Sequence, residues 1–184
     1  SSLSSVLSKL VTRGDFDWTR LVGSADEDHG NALTTGSDGS IFIAGTTDGD
    51  FDEQTNNGNG DIFISKFNPD GIKEWTRLLG SAVEDQGNAL TTGSDGSIYI
   101  AGSTYGNLDG QTNNGTADSF ISKFNPNGTK DWTILLGTSS LLSAEALTTG
   151  SDGSIYIAGY TFGDLDGQTY NLSLIHISEP TRPS

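Results

Sequence analysis

The feature that most constrains this chain is a repeat with a period of 57 residues. Tryptophan recurs at that interval, at Trp18, Trp75 and Trp132. The motif Gly-Ser-Asp-Gly-Ser recurs in the same register and begins at Gly36, Gly93 and Gly150. A fixed period of this length predicts a repeat architecture, in which each unit buries its apolar faces against its neighbours.

The period divides the chain into units. Residues 18–74 and 75–131 align without a gap as repeats 1 and 2, and residues 132–171 form a partial repeat 3. Residues 4–17 fit the same register as the remnant of a preceding unit. A targeting peptide is the alternative interpretation of this Ser-rich start. We expect further blades of a parent protein to be partners of these units.

The C-terminal segment leaves the repeat. After Asn171 the register predicts another Ile-Ser-Lys-Phe-Asn-Pro segment, which is absent. Residues 172–182 resemble translated adapter DNA from sequencing-library preparation, so residues 172–184 are predicted to be a non-native tail. A divergent C-terminal strand is the alternative.

One unit contains four short segments typical of β-strands and no segment with helical periodicity. In repeat 2 the strands are predicted at 88–92, 97–101, 118–124 and 130–136, with tight turns at 93–96 and 125–128. Four strands per unit predict an all-β fold of four-stranded antiparallel sheets, arranged as β-propeller blades. A β-solenoid is the alternative, although its coils are usually shorter.

A family resemblance follows from two recurring segments. Residues 39–45 (Gly-Ser-Ile-Phe-Ile-Ala-Gly) with 61–67 (Asp-Ile-Phe-Ile-Ser-Lys-Phe) recur at 96–102 and 118–124. This pattern resembles the bacterial seven-bladed β-propeller repeat family (SBBP type). The resemblance implies propeller blades and an extracellular or cell-surface location, but no particular activity. The chain is too short for a seven-bladed ring, so we predict an incomplete ring of about three blades.

Composition excludes several classes of partner and chemistry. The formal net charge is −15, which disfavours nucleic acid as a partner because phosphate backbones are also negative. No apolar run approaches the ~18 residues of a membrane-spanning helix. The chain has no cysteine, so it has no disulfide, thiol nucleophile or cysteine zinc site.

The long polar loops are the predicted interaction surface. Strands of a blade alternate in direction, so loops 46–60, 103–117 and 160–171 share one face. Loops on a rigid frame commonly carry binding, here of an unidentified protein or carbohydrate ligand. The alternative is that these loops differ between repeats because nothing constrains their sequence. The candidate ligand-binding residues are Asp48, Asp50, Asp52, Asn107, Asp109, Asp164 and Asp166.

Calcium is the only cofactor that the pattern suggests. Oxygen-bearing side chains stand two residues apart in these loops, and Asp164 and Asp166 are the candidate calcium ligands. A full calcium loop needs a third ligand and a distal bidentate acid, and neither occurs at a set spacing. We therefore predict no cofactor and interpret these Asp and Asn residues as solvated and turn-forming, with calcium binding as the alternative.

Catalytic chemistry has little support in the sequence. The pair Glu84-Asp85 lies in a polar segment, and repeat 3 replaces it with two leucines. His29 is replaced by Gln86 in the next unit and is interpreted as a surface residue. We therefore predict a non-enzymatic binding or display scaffold. The alternatives are a fragment of a propeller enzyme acting on polysaccharide and a calcium-stabilised adhesion module.

Two lysines and the tryptophans are interpreted as structural. Lys66 and Lys123 lie in predicted strands and are expected to pair with Asp61 and Asp118 respectively. The three tryptophans are expected to pack between blades, and an exposed sugar-binding aromatic ladder is the alternative.

Overall fold

The computed structural model describes residues 4–12, 15–170 and 177–178. These residues form strands, turns and loops, and none of them belongs to a helix that is long and apolar enough to cross a membrane. The strands of the described residues are β1 (Ser5–Thr12), β2 (Asp15–Val22), β3 (Asp28–Thr35), β4 (Ile41–Thr47), β5 (Asp61–Phe67), β6 (Lys73–Leu79), β7 (Asp85–Thr92), β8 (Ile98–Thr104), β9 (Asp118–Phe124), β10 (Lys130–Leu136), β11 (Leu142–Thr149), β12 (Ile155–Thr161) and β13 (Ile177–Ser178).

The strands form antiparallel sheets in chain order. The first sheet is β3-β4-β5-β6 and the second is β7-β8-β9-β10, each with four strands. Before them lies the two-stranded sheet β1-β2, and after them the three-stranded third sheet β11-β12-β13. The prediction of four-stranded antiparallel blades is confirmed, and the ring of blades is not closed.

The boundaries of the sheets do not coincide with the boundaries of the sequence repeats. Trp18, Trp75 and Trp132 open the sequence units, yet they lie in β2, β6 and β10, the last strands of their sheets. The remnant at 4–17 accordingly forms β1 and the start of β2. Apart from β13, the segment predicted to be a non-native tail lies outside the described residues.

Turn chemistry sets the hairpins as the sequence predicts. In the second sheet, Gly96 N–H donates to Gly93 O at 3.0 Å, and Gly128 N–H donates to Asn125 O at 2.8 Å. Gly96 and Gly128 have φ of 79° and 82°, a left-handed conformation that glycine adopts without steric cost. The carboxylate of Asp95 accepts Ser97 N–H at 2.9 Å and fixes the first of these turns.

Two predicted strands match the structure and two are longer than predicted. Strands β9 and β10 have the predicted bounds, whereas β7 begins at Asp85 and β8 continues to Thr104. A bulge between Gly87 and Ala89 interrupts the alternation that marks a strand. The polar residues at the end of β8 resemble a loop, yet Thr104 pairs with Asp118 and is fully buried.

The core lies between successive sheets. Phe42, Ile62 and Ile64 of the first sheet pack in one cluster with residues of the second sheet, including Ile98 and Phe120. Similar clusters join β1-β2 to the first sheet and the second sheet to the third. Burying one such side chain stabilises the fold by roughly 1.5–3 kcal/mol. The strands therefore need apolar residues on both faces.

The tryptophans pack between sheets, as predicted. Trp75 packs against the cluster shared by the first and second sheets, and Trp132 packs against the cluster shared by the second and third. Within their own sheets, the Trp75 ring lies 6.1 Å from the Phe42 ring, and the Trp132 ring lies 6.1 Å from the Tyr99 ring. A Cβ added at Gly128 would meet the Trp75 ring at 2.9 Å, so this turn glycine also makes room for the indole. The first strands of successive sheets, β3, β7 and β11, contact one another and form the inner end of the array.

Candidate functional site

The long-loop face consists of loops 48–60, 105–117 and 162–170 together with the inter-sheet junctions 80–84 and 137–141. Each long loop holds a tight turn closed by a pair of backbone hydrogen bonds, such as those between Phe51 and Gln54 at 2.9 and 3.1 Å. Phe51 is buried beneath its loop, and so is Leu108 in the next repeat. The frames of the first two loops are therefore anchored to the core.

Three predicted ligand-binding residues hold these loops together. Side-chain Oδ1 atoms of Asp50, Asn107 and Asp164 each accept a backbone N–H six residues further along the chain. The donors are Asn56 at 2.9 Å, Asn113 at 3.0 Å and Tyr170 at 2.7 Å. These oxygens thus close the loops at all three repeats.

Three of the other four predicted ligand residues lie at the loop tips. Asp52, Asp109 and Asp166 adopt the left-handed conformation, with φ of 50°, 54° and 49°. Asp52 forms an ion pair with Lys73 at 2.6 Å, and Asp109 forms the equivalent pair with Lys130. Asp166 is exposed at the tip of the third loop.

The described residues contain no group of three or more His, Cys, Asp or Glu side chains that could hold a metal ion. Asp164 and Asp166 therefore share no third acidic ligand in that part of the chain. Calcium binding at these two residues stays an untested alternative to their role in the turn. The spacing that suggested calcium also serves turn formation, which needs an Asp or Asn at both positions.

Asp48 lies where the first long loop meets the second sheet. Partial burial raises the pKa of Asp48, and the negative charge of Glu27 raises it further. The charge of Glu84, in the inter-sheet junction 80–84, raises this pKa as well. The inner part of the long-loop face is therefore electronegative at this junction.

Four buried carboxylates were missed by the sequence reasoning. Asp28, Asp61, Asp85 and Asp118 begin strands β3, β5, β7 and β9 and are at most 2% exposed. Each Oδ2 atom accepts a backbone N–H from the residue four positions earlier. The donors are Ser24 at 2.7 Å, Asn57 at 3.0 Å, Ser81 at 2.6 Å and Asn114 at 2.9 Å. The sequence signal that could have revealed these buried carboxylates is an Asp at the start of a strand with a Ser or Asn four residues before it.

The predicted partners of Lys66 and Lys123 are wrong. Lys66 pairs with Glu74 at 2.9 Å, and Lys123 pairs with Asp131 at 3.3 Å. Asp61 precedes Lys66 by five residues in one strand, and side chains an odd number of positions apart point to opposite faces. The lysine instead reaches an acid on the neighbouring strand.

The buried carboxylates are electrostatically unusual. Burial raises the pKa of Asp61, Asp85 and Asp118, and the charge of Asp85 adds to the effect at Asp61. The Oδ1 atoms of these residues have no hydrogen-bond partner among the described residues. A Cβ added at Gly80, in the junction after β6, would lie 2.0 Å from Asp61 Oδ1. The chain thus passes directly over a buried carboxylate between sheets.

Polar contacts along the inner strands join one sheet to the next. The amide of Asn31 donates to Gly87 O at 3.1 Å. In the next repeat, Asn88 donates to Ala144 O at 3.0 Å and to Ser143 Oγ at 3.4 Å. The third sheet has Glu145 at this position, and its carboxylate accepts the Ser143 hydroxyl at 2.7 Å.

The third repeat also carries an exposed aromatic cluster on the long-loop face. The ring of Phe162 lies 5.8 Å from Tyr160 and 6.3 Å from Tyr170. Tyr160 is 45% exposed and Phe162 is 57% exposed. The same positions of repeat 2 hold Ser103, Tyr105 and Asn113. Only the third repeat therefore gathers three aromatic rings there.

Stacked four-stranded antiparallel sheets with alternating loop faces define a β-propeller protein. Residues 74–109 match the SBBP beta-propeller repeat, and residues 36–71 and 93–133 match DUF5122, a beta-propeller domain of unknown function. The chain therefore contains SBBP-type beta-propeller repeats, and the resemblance in the sequence is confirmed in that respect.

Two curated relatives are similar over most of the chain. The Regulatory protein FlaEY of Caulobacter vibrioides is 33% identical over an alignment of 147 positions that covers 72% of this chain. The Uncharacterized WD repeat-containing protein L264 of Acanthamoeba polyphaga mimivirus is 26% identical over an alignment of 201 positions that covers 84% of this chain. The matched region spans only 15% and 14% of these two relatives.

Proposed function

We propose that this chain is a non-enzymatic propeller scaffold that binds a partner through its long-loop face. The observation that carries the proposal is the aromatic cluster of Tyr160, Phe162 and Tyr170, in which Tyr160 and Phe162 are exposed and Tyr170 is half-buried. Exposed rings grouped on a loop face commonly mark an interaction site. Their backbone frame is held by the hydrogen bond between Asp164 and Tyr170 N–H.

The ligand class that fits this surface is a carbohydrate or a protein segment. Aromatic rings bury much apolar area and lose few rotamers on binding, which suits both ligand classes. Asp164 and Asp166 lie in the same loop as Phe162 and Tyr170, and their carboxylates provide hydrogen-bond acceptors. A partner-binding role is in keeping with a relative described as a regulatory protein and another described by its WD repeats.

The chemistry of the buried carboxylates favours a scaffold over an enzyme. Asp61, Asp85 and Asp118 have raised pKa values of the kind that acid–base catalysts need, but each is fully buried. Each also accepts a backbone hydrogen bond within its own loop. A substrate could reach them only if the loops opened.

The test uses a matched pair of substitutions on the full chain. Phe162→Ser removes the central ring of the cluster, whereas Tyr105→Ser removes the ring at the same position of repeat 2. We expect binding on a glycan array or to a displayed random-peptide library to be lost with the first variant and kept with the second. Absence of binding in both screens, or equal loss in both variants, would refute the proposal.

The non-enzymatic part is tested separately. The array polysaccharides are incubated with the chain, and soluble products are followed by mass spectrometry. Any hydrolysis or elimination product would favour the polysaccharide enzyme over the scaffold.

We also propose an extracellular or cell-surface location. The proposal is supported only by what the family resemblance implies. Protease treatment of intact source cells, followed by immunoblotting, is expected to degrade the parent protein. Full protection from the protease until the cells are lysed would place the protein inside.

A further inference from the structure

The fourth strand of each complete sheet lies at an outer edge. Strand β6 pairs with β5 and strand β10 pairs with β9, while neither pairs with a strand on its other side among the described residues. All four strands of both sheets lie within those residues, so these edges belong to complete blades. The edge of a sheet presents backbone N–H and C=O groups on which a further strand can pair, unless the protein covers them.

The side chain of Gln54 covers part of the outer edge of β6. Its Nε2 donates to Thr76 O at 2.9 Å, and its Oε1 accepts Leu78 N–H at 3.1 Å. One residue of an added parallel strand would make the same two bonds, to the residue before Arg77 and from the residue after it. The side-chain amide of Gln54 therefore takes the place of a backbone peptide group at this edge.

The same contact recurs at the outer edge of β10. Gln111 Nε2 donates to Thr133 O, and Gln111 Oε1 accepts Leu135 N–H at 3.1 Å. The residue before the glutamine differs between the repeats, since it is Glu53 in repeat 1 and Gly110 in repeat 2. The glutamine and its two bonds are thus kept where the loop sequence around them changes.

Two further contacts hold the tip of the first loop beside β6. The buried ring of Phe51 lies 5.5 Å from the ring of Phe63 in the core. Asp52 forms its ion pair with Lys73, the first residue of β6. Neither contact involves the amide of Gln54, so we expect the loop tip to stay in place when that amide is removed.

We propose that Gln54 and Gln111 are clasps, side-chain amides that close the outer edges of the blades to a second copy of this chain. Each clasp supplies both the donor and the acceptor that an added strand would supply, and a single glutamine suits this role because its amide carries both groups. Without the clasps, the outer edge of one copy is free to pair with the outer edge of another. The proposal does not depend on the ligand of the long-loop face.

Charge favours a second copy as the occupant of an opened edge. The whole chain has a formal net charge of −15, which keeps copies apart. Strand β6 carries two cations and one acid, Lys73, Arg77 and Glu74, and β10 carries Lys130 and Asp131. The outer edges therefore do not share the strong negative charge of the chain, and two copies can approach each other there without like-charge repulsion.

Hydrogen exchange of the full chain, followed at single amides by NMR, tests the clasps directly. Gln54→Met keeps the length of the side chain and removes its donor and its acceptor. The Leu78 amide should then exchange at least about tenfold faster, the factor expected when an ordinary hydrogen bond is lost, and the Leu135 amide should stay protected. Gln111→Met should give the reverse result. Unchanged exchange at Leu78 in Gln54→Met would overturn the proposal.

The matched control is Gln86→Met, the same substitution at a glutamine whose side chain bonds only the exposed Glu84 carboxylate. It should leave the exchange of the Leu78 and Leu135 amides unchanged. Faster exchange of both amides in the control would show a general loosening of the sheets and would also count against the clasps.

Association is tested with the double variant Gln54→Met/Gln111→Met. Light scattering should give a mass that rises with protein concentration and exceeds the mass of the unaltered chain at the same concentration. The Leu78 and Leu135 amides should regain protection as the variant associates, because a strand of the second copy then covers them. A mass equal to that of the unaltered chain, or association that leaves both amides in fast exchange, would refute the proposal. Circular dichroism checks that the double variant keeps its β-sheet content, and the single variants are measured in the same way if it does not.

Discussion

Replacing Gly80 by alanine would test how closely the chain passes over the buried carboxylate of Asp61. The new Cβ would lie 2.0 Å from Oδ1, 2.1 Å from Cγ and 2.6 Å from Oδ2, whereas ordinary contact begins at 3.4 Å. Gly80 is not among the glycines with positive φ, so alanine can take its backbone conformation. The clash must then be relieved by the carboxylate.

The expected loss of stability follows from the contacts of Asp61. Moving its carboxylate by more than 1 Å breaks the hydrogen bonds from Asn57 N–H at 3.0 Å and Asn57 Nδ2 at 3.2 Å. A hydrogen bond to a charged group contributes about 1.5–3 kcal/mol. The lower entropy of alanine in the unfolded chain offsets about 0.4–1 kcal/mol. We therefore expect Gly80→Ala to lower the free energy of unfolding by about 2 kcal/mol.

A double-mutant cycle separates this clash from a general intolerance of alanine. In an Asp61→Gly background, Gly80→Ala meets no carboxylate and should be neutral or slightly stabilising. Urea unfolding followed by tryptophan fluorescence gives the four free energies, and Gly137→Ala with Asp118→Gly repeats the cycle one blade further. A coupling energy below about 0.5 kcal/mol, the scatter expected of independent sites, would refute the reasoning.

Three further predictions follow from the same contacts. Asp61 and Asp85 have pKa values that are higher in the folded than in the unfolded chain, so they stabilise the fold at pH values below their unfolded pKa. This contribution is lost as pH rises through the folded pKa, so the melting temperature should fall over that range. Asp85→Asn should reduce the dependence of the melting temperature on pH. Ser65→Ala should cost about 1–3 kcal/mol by urea unfolding, because it leaves the buried Thr76 hydroxyl unpaired, and adding Thr76→Val should recover most of the loss. Millimolar calcium should leave the melting temperature unchanged, because Asp164 already bonds its own loop; a rise that a chelator reverses would contradict this.

Much of the fold could be predicted because its signals are local and repeated. The turn at 93–96 depends on Asp95 and Gly96, which are adjacent in sequence and specify the turn by their own backbone preferences. Strand type followed from β-branched and aromatic residues, and the period supplied the number of sheets. The bounds of β7 were less predictable, because a bulge at Gly87 shifts the alternation.

The chemistry of the junctions depended on contacts between sheets, which one unit of sequence does not reveal. Asp61 and Asp85 resemble surface residues in sequence, yet stacking buries both at the junction crossed by Gly80. The partner of Lys66 required the register of β5 against β6, which places Trp75 opposite it and Glu74 within reach. The sequence shows that repeat 3 contains these three aromatic residues, but only the conformation of the loop shows that their rings contact one another.

The sequence units begin in the last strand of one sheet and not at the first strand of the next, and this offset bears on how such an array changes its number of blades. Any window of 57 residues contains the equivalent of four strands. A window from Asp28 holds β3 to β6 whole, and one from Trp18 holds the end of β2, all of β3 to β5 and the start of β6. A duplication or deletion of one period by recombination between near-identical stretches of DNA therefore adds or removes a whole blade, wherever the breakpoint falls. No strand of the encoded protein is cut or left without its neighbour. The array can therefore gain or lose whole blades during evolution, and each product still consists of complete strands.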